Sequence, residues 1–258
     1  MLEVENLSFA YGARGVLKNV SFRAECGEFV SVLGANGAGK STMFKAICSL
    51  LKPKSGTVKI LGKDAGEYSI SEAAKIRAVL AQDCEFNFAS SVLDFVLLGR
   101  YVRGGFFSSK EDVEIAMAAI EAAGIKGFEN RIFTRLSGGE RRRAELARAL
   151  CQLGAKGKKG TMLLLDEPNS SLDPKNASCA LEAAKRFAAE GSAVAAILHD
   201  VNLASLYSDK IALMHRGEIF AFGPPREALT EENLRRAYGA NCRIFESGEG
   251  RFAIFLRD

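Results

Sequence analysis

The segment Gly34-Ala35-Asn36-Gly37-Ala38-Gly39-Lys40-Ser41 constrains this chain more than any other, because it dictates what must flank it. Its glycines let successive backbone N–H groups turn inward around an anion, provided that a strand delivers the chain to the loop and a helix receives it. Both neighbours are present. Glu28 to Leu33 is a short apolar run preceded by glycine, and after Lys40 the residues Met43, Phe44, Ile47, Leu50 and Leu51 recur at helical spacing as far as Pro53.

The rest of the chain supplies the layers such a unit needs. Leu2 to Tyr11 alternates apolar and polar residues, Val16-Leu17 to Phe22 repeats the pattern, and an N-terminal edge β-sheet follows. Thr57 to Leu61 and Ala78 to Ala81 read as further strands. From Asp83 to about Ala149 the character becomes helical, clearest over Glu111 to Ala123 and Arg141 to Leu153, with Gly104-Gly105 and Gly124 as breaks. Thr161 to Asp166 and Ala193 to Leu198 are continuous apolar runs, as for strands buried on both faces of a parallel sheet, and a helix over 174–190 connects them. Ile211 to Met214 and Glu218 to Phe222 flank a hairpin at His215-Arg216-Gly217, after which Pro224-Pro225 opens a small α/β tail. The expected architecture is α/β: a mixed core sheet from 1–82 and 151–258, an N-terminal antiparallel β-subdomain, and a helical insertion over 83–150.

Composition removes several classes of function. With 48% hydrophobic and 26% charged residues the chain is an ordinary globular one, and no apolar run approaches the roughly eighteen residues of a membrane span. The start, Met1-Leu2-Glu3-Val4-Glu5, has neither a basic nor an apolar leader region, which leads us to expect a cytosolic protein. Six cysteines, at 26, 48, 84, 151, 179 and 242, form no C-x-x-C pair and are read as reduced, packed thiols. The net charge of +4 is too small to argue for nucleic acid. Arg141-Arg142-Arg143 and the lysines of 154–160 are read as solvated faces.

In the glycine loop Lys40 offers a point charge for β- and γ-phosphates, and Ser41 a hydroxyl oxygen for Mg²⁺. Asp166 and Glu167 end the buried run Leu163-Leu164-Leu165, at the sheet edge where α/β proteins bind ligands. Asp166 suits a magnesium partner, and Glu167 a general base or a group that positions the attacking water. His199 follows the second buried run and is suited to a γ-phosphate. Gln82, at the end of Val79-Leu80-Ala81, can reach Mg²⁺ or water, and Tyr11 can stack on a base. A second glycine-rich anion site, Leu136-Ser137-Gly138-Gly139-Glu140, stands at a helix start about a hundred residues after the first. One copy would need a large distortion to close it onto its own Lys40, whereas a head-to-tail dimer pairs each loop with the other copy's Ser137.

In this order the motifs resemble the ATP-binding subunit of ABC transporters, over essentially the whole chain. The resemblance implies a P-loop ATPase cassette, with Tyr11 as the adenine-stacking residue and 34–41 as Walker A, its phosphate-binding stretch running through Thr42. It makes Gln82 the Q-loop, 136–140 the signature used in trans, 162–167 Walker B, Asp173 in Ser171-Leu172-Asp173 the D-loop, and His199 the switch histidine. It implies Mg²⁺ held by Ser41, Gln82 and Asp166, a homodimer, a membrane permease dimer, indirectly a periplasmic or surface substrate-binding protein, no nucleic acid, and a peripheral place on the cytoplasmic face of the membrane. The segments Ala81-Gln82-Asp83, Ser91 to Arg100, and Leu198 to Ala204 look most like importers of haem, ferric siderophores and cobalamin. The stretch 146–168 and the ending Phe255-Leu256-Arg257 are similar to the haem subgroup. The groove from Cys84 to Leu93 is the implied seat of a permease helix.

Four positions depart from the family pattern: Glu140 stands where Gln is usual, Arg141-Arg142 where Gln-Gln is frequent, and Asn169 where Thr is usual. A soluble cassette ATPase acting on nucleic acid or ribosomes is the alternative, although neither a tandem cassette nor a long coiled coil is present. A P-loop kinase would explain neither Ser137-Gly138-Gly139 nor His199.

Overall fold

The computed structural model describes residues 1–82, 86, 89–103, 109–248 and 250–256. Expectations falling on Asp83, Cys84, Gly104, Gly105 and Arg257 lie outside the described residues. The chain forms two compact units, one of Met1–Tyr68 with Ala195–Asp258 and one of Ser69–Val194.

The first unit opens with β1 (Leu2–Tyr11), β2 (Arg14–Ala24), β3 (Phe29–Leu33), α1 (Lys40–Ile47), β4 (Ser55–Ile60) and β5 (Lys63–Asp64). The alternation of β1, broken by a register shift between Val4 and Leu7, buries Leu2, Val4, Leu7 and Phe9, and its antiparallel pairing sets Val4 opposite both Phe22 and Val58. The four strands run in the order β2-β1-β4-β5. Strand β3 is buried at all five residues and leads into the glycine loop. Helix α1 buries Met43, Phe44 and Ile47 but stops at Ile47, six residues before Pro53. The Cys48 and Ser49 amides close the last turn on the Phe44 and Ala46 carbonyls, both at 2.9 Å, and Ser49 turns left-handed at φ +59°. Leu50 is thereby left 73% exposed, which overturns the longer helix that its spacing suggested.

The second unit contains α2 (Ile70–Ile76), β6 (Arg77–Leu80), α3 (Val92–Leu97), α4 (Lys110–Ala122), α5 (Gly138–Leu153), β7 (Met162–Asp166) and α6 (Pro174–Ala189). Helices α2 to α5 each open on a serine in a capping box: Ser69 with Glu72, Ser91 with Asp94, Ser109 with Asp112, Ser137 with Glu140. In each, the serine oxygen accepts from the third helical amide while the acid accepts from the serine N–H, which satisfies two otherwise orphaned donors. Helix α2 buries no residue, and Ile70 is 91% exposed, so it carries no apolar stripe to announce it. Phe95 stacks on Phe133 with ring centroids 3.9 Å apart, and the Arg148 and Arg141 guanidiniums of α5 lie over the two rings at 5.5 and 5.6 Å. Strands β6 and β7 are parallel, with Leu80 opposite Leu165.

Strand β8 (Ala193–Ile197) starts in the second unit, where the Ala193 amide donates to the Thr161 carbonyl at 3.0 Å. It ends in the first unit, where the Leu198 amide donates to the Val32 carbonyl at 3.2 Å. The chain continues as α7 (Val201–Tyr207), β9 (Lys210–His215), β10 (Glu218–Gly223), α8 (Pro225–Ala228), α9 (Glu231–Tyr238), β11 (Cys242–Ser247) and β12 (Gly250–Phe255). Strand β9 lies parallel to β3, with Leu33 opposite Leu213, and the hairpin to β10 turns at Arg216-Gly217. Strands β11 and β12 form a separate antiparallel pair. Of the cysteines described, Cys151 and Cys242 are buried, Cys26 is exposed, and all are free thiols. Among the described residues no helix is long and apolar enough to cross a membrane.

Candidate nucleotide site

In the first unit the glycine loop leaves β3 at Gly34, whose φ is +149°. A Cβ there would stand 2.3 Å from the Met214 carbonyl oxygen of β9, so the loop can hug that strand only without a side chain. Lys40 is 6% exposed, and its Nζ donates to the carbonyls of Gly34 at 2.6 Å and Ala35 at 3.0 Å. The ammonium therefore sits within the turn of the loop, close to where inward amides would meet phosphate oxygens. The tip of the β9–β10 hairpin braces the loop, since the Gly217 amide donates to the Ala38 carbonyl at 2.9 Å. Helix α1 begins at Lys40 with no side-chain cap on Gly39, and its positive end carries Ser41 and Thr42.

Tyr11 ends β1, 51% exposed, with its ring edge-on to Phe9 at 4.9 Å. Leu198 bonding to Val32 means that His199 and Gly34 emerge at the same end of neighbouring strands, and His199 is exposed there. Tyr238 of α9, which no motif pointed to, is half-buried with its hydroxyl desolvated beside the Gly34 backbone. That burial pushes its hydroxyl up to about 12.

In the second unit the parallel register of β6 with β7, Leu80 opposite Leu165, puts Gln82 and the Asp166-Glu167 pair beyond the same ends of neighbouring strands. Asp166 is buried at the strand end, and Glu167 takes the left-handed conformation at φ +53°. Here Arg142 departs from the sequence expectation. It is 5% exposed rather than solvated. Its Nη1 donates to the Ala81 carbonyl at 2.6 Å and to Glu145 Oε2 at 3.0 Å. Its Nη2 donates to the Glu167 carbonyl at 3.0 Å and to the Asp166 carbonyl. A guanidinium whose two terminal nitrogens end on carbonyls and a carboxylate can be buried because most of its donors are met, Nε alone having no partner among the described residues. Burial raises the Glu145 carboxyl above its ordinary range, with Arg142 opposing.

The second candidate anion site, Ser137-Gly138-Gly139, opens α5. Gly139 is closely covered, since a Cβ would lie 3.0 Å from the Leu172 side chain and 3.2 Å from the Ser171 carbonyl, so the loop leading to Asp173 packs on it. Asp173 caps α6 by accepting from the Asn176 amide at 2.8 Å, the bond that chiefly holds its carboxyl low. Glu140 gains a rationale in this setting. Its Oε2 accepts from the Ser137 amide at 2.8 Å, and its Oε1 accepts from Arg131 at 2.8 Å. The amide first, and the guanidinium second, hold its carboxyl below the ordinary range.

A glycine loop between strand and helix, with carboxylates at the end of a buried strand, defines a P-loop nucleoside triphosphatase. The chain belongs to the ABC transporter family, whose model matches residues 17–170, and is an ATPase of that type. It is 42% identical to the hemin import ATP-binding protein HmuV of Pseudomonas putida, over 95% of this chain and 94% of that protein. It is equally 42% identical to the HmuV of Deinococcus radiodurans, over 92% and 90%. A solved structure described as an ABC transporter of metal-chelate type, in an inward-facing conformation, is 29% identical with a TM-score of 0.81, covering 99% of this chain and 96% of that one. A dimeric ATP-binding cassette in a post-hydrolysis state with ADP and Pi is 26% identical with a TM-score of 0.75, over 88% and 99%. The ABC cassette fold expected from the motifs, with its antiparallel β-subdomain and helical segments, is the fold of this chain.

Proposed function

We propose that this chain is the ATP-hydrolysing subunit of an importer for haem or a related iron or cobalt chelate. It works as a head-to-tail homodimer on a membrane permease dimer, at the cytoplasmic face of the membrane, with cargo delivered by a periplasmic or surface binding protein. The observation that carries the reading is the pair of anion sites on one chain. The loop around Lys40 and the α5 end at Ser137-Gly138-Gly139 lie in different units, so two copies supply two complete sets. The HmuV relatives support haem as cargo. The arginine triplet weighs against nucleic acid, because Arg141, Arg142 and Arg143 all donate to carbonyls of their own unit.

In this reading Gly34 to Thr42 hold the phosphates, Tyr11 stacks on adenine, and Ser137 to Glu140 complete the partner's site beside Asp173. The helical segment 83–150 is the part that carries the signature. Ser41, Gln82 and Asp166 offer oxygen donors of the hard type that suits Mg²⁺. When bound, the ion would neutralise charge on the β- and γ-phosphates. Glu167 orients or deprotonates the attacking water, and His199 and Gln82 hold it in register with the γ-phosphate. Glu167→Gln keeps the shape and removes the base, so ATP still binds and the dimer accumulates, as read by light scattering with MgATP. Turnover at the wild-type rate would refute the role of Glu167. Reconstitution with the permease and binding protein, comparing ATPase stimulation by haem, ferric siderophore and cobalamin, tests the cargo.

A further inference from the structure

We propose that Arg142 is a positioning residue that ties the Ser137 end of α5 to the two backbone segments bearing Gln82 and Glu167. The inference rests on the reading of those two residues as reaction-site groups.

The geometry requires an unusual backbone. In an extended strand successive carbonyls point to opposite sides, yet those of Asp166 and Glu167 both accept from the same Nη2. Two consecutive carbonyls reach one donor only if the chain turns between them, and Glu167 does so by adopting φ +53°, a conformation that a side chain takes at a cost. The guanidinium compensates that cost with charge-assisted bonds, and in doing so sets the direction in which the Glu167 side chain leaves the backbone. The other nitrogen holds the carbonyl of Ala81, the residue before Gln82. Arg142 is rooted one turn into α5, five residues after Ser137, and Glu145 on the next turn locks its rotamer. A shift of the α5 end, on meeting a phosphate, therefore moves both segments through one rigid planar group.

Lysine cannot do this, because one ammonium on a flexible stem cannot span carbonyls from two segments in a fixed fork. A merely structural role would act through burial of the ion pair instead, and then Glu145 would matter as much as Arg142. The two roles are separable. Arg142→Met removes the fork, and Glu145→Gln removes the charge partner but leaves the carbonyl contacts in place.

The full chain carrying each variant is assayed for ATP affinity, kcat, melting temperature, and hydrogen exchange of the amides over 166–170. We expect Arg142→Met to lower kcat by about tenfold or more while ATP affinity stays within about twofold, as for a misplaced catalytic group. Arg142→Lys should fall in between. Glu145→Gln should keep kcat within about threefold even where its melting temperature drops. Exchange over 166–170 should quicken in Arg142→Met and not in Glu145→Gln. Equal losses of kcat in Arg142→Met and Glu145→Gln, each tracking its loss of melting temperature, would overturn the proposal, as would an unchanged kcat in Arg142→Met. If Glu167→Gln abolishes turnover while Arg142→Met leaves it unchanged, the positioning role alone fails. If Glu167→Gln turns over normally, the reading beneath it fails.

Discussion

Glu140→Gln tests why an acid stands at the opening of α5. The amide oxygen of Gln can still accept from the Ser137 N–H, so the capping box survives; what disappears is charge. The Arg131 pair, with both side chains partly solvated, is worth about 0.2–1 kcal/mol. The favourable field at the positive end of a helix is worth about 0.3–1 kcal/mol. The variant should therefore lose about 1 kcal/mol at neutral pH, whereas Glu140→Ala, which also gives up the cap bond, should lose about 2 kcal/mol. The pH dependence has a defined sign. The Glu140 carboxyl is depressed from its ordinary 4.5, chiefly by the Ser137 amide, so its contribution is complete above that value and vanishes as pH falls through the lower folded one. Urea unfolding of wild type and variant across pH 7 to 3 should show a gap that is constant at the top and narrows at the acid end. A gap of zero at pH 7, or one that does not narrow on acidification, would refute the reasoning.

Two further substitutions follow from the same kind of accounting. Gly34→Ala places a methyl 2.3 Å from the Met214 carbonyl oxygen, so either β9 or the loop must yield, and the left-handed backbone adds about 1–3 kcal/mol of strain. ATP affinity by calorimetry should fall at least about tenfold, and unaltered binding would refute the close packing of loop on strand. Asp112→Asn keeps a capping oxygen but loses the 2.7 Å bond from Arg100, which should lower stability by about 1–3 kcal/mol at pH 7. The Arg100 contact, ahead of Ser109, holds the Asp112 carboxyl at about 2. The advantage of wild type should therefore be full above the ordinary 3.8 and lost as pH falls through about 2, as followed by acid titration of unfolding.

What could be read in advance was whatever the chain encodes locally. The glycine loop between an apolar run and a helical pattern, the alternation of β1 and the turn at Arg216-Gly217 all announce themselves through period or backbone chemistry. Helix α2 does not, because none of its residues is buried; its signal was the spacing of Ser69 and Glu72. The same serine-to-acid spacing in Ser137 and Glu140 accounts for an acid that motif comparison alone leaves unexplained. Arg142 was illegible for another reason. A charged triplet reads as surface because charge is rarely buried, and three of the groups that satisfy it are carbonyls, which every residue possesses. The one sequence hint is Glu145, an acid three residues on, among the buried Ala144, Leu146 and Ala147.

Helix α1 opens on a left-handed Gly39 with no side-chain cap, while α2, α3, α4 and α5 each bring their own serine and acid. If Gly34 to Thr42 hold the phosphates as proposed, a phosphate at that end would do for α1 what those side chains do for the others, and the nucleotide would also be a folding ligand. Saturation a hundredfold above Kd adds about 2.7 kcal/mol to the stability of the bound state. The cell's energy charge would then set not only how fast such a subunit turns over but how long it survives, because the copies empty of nucleotide are the first to fray and the first to meet a protease.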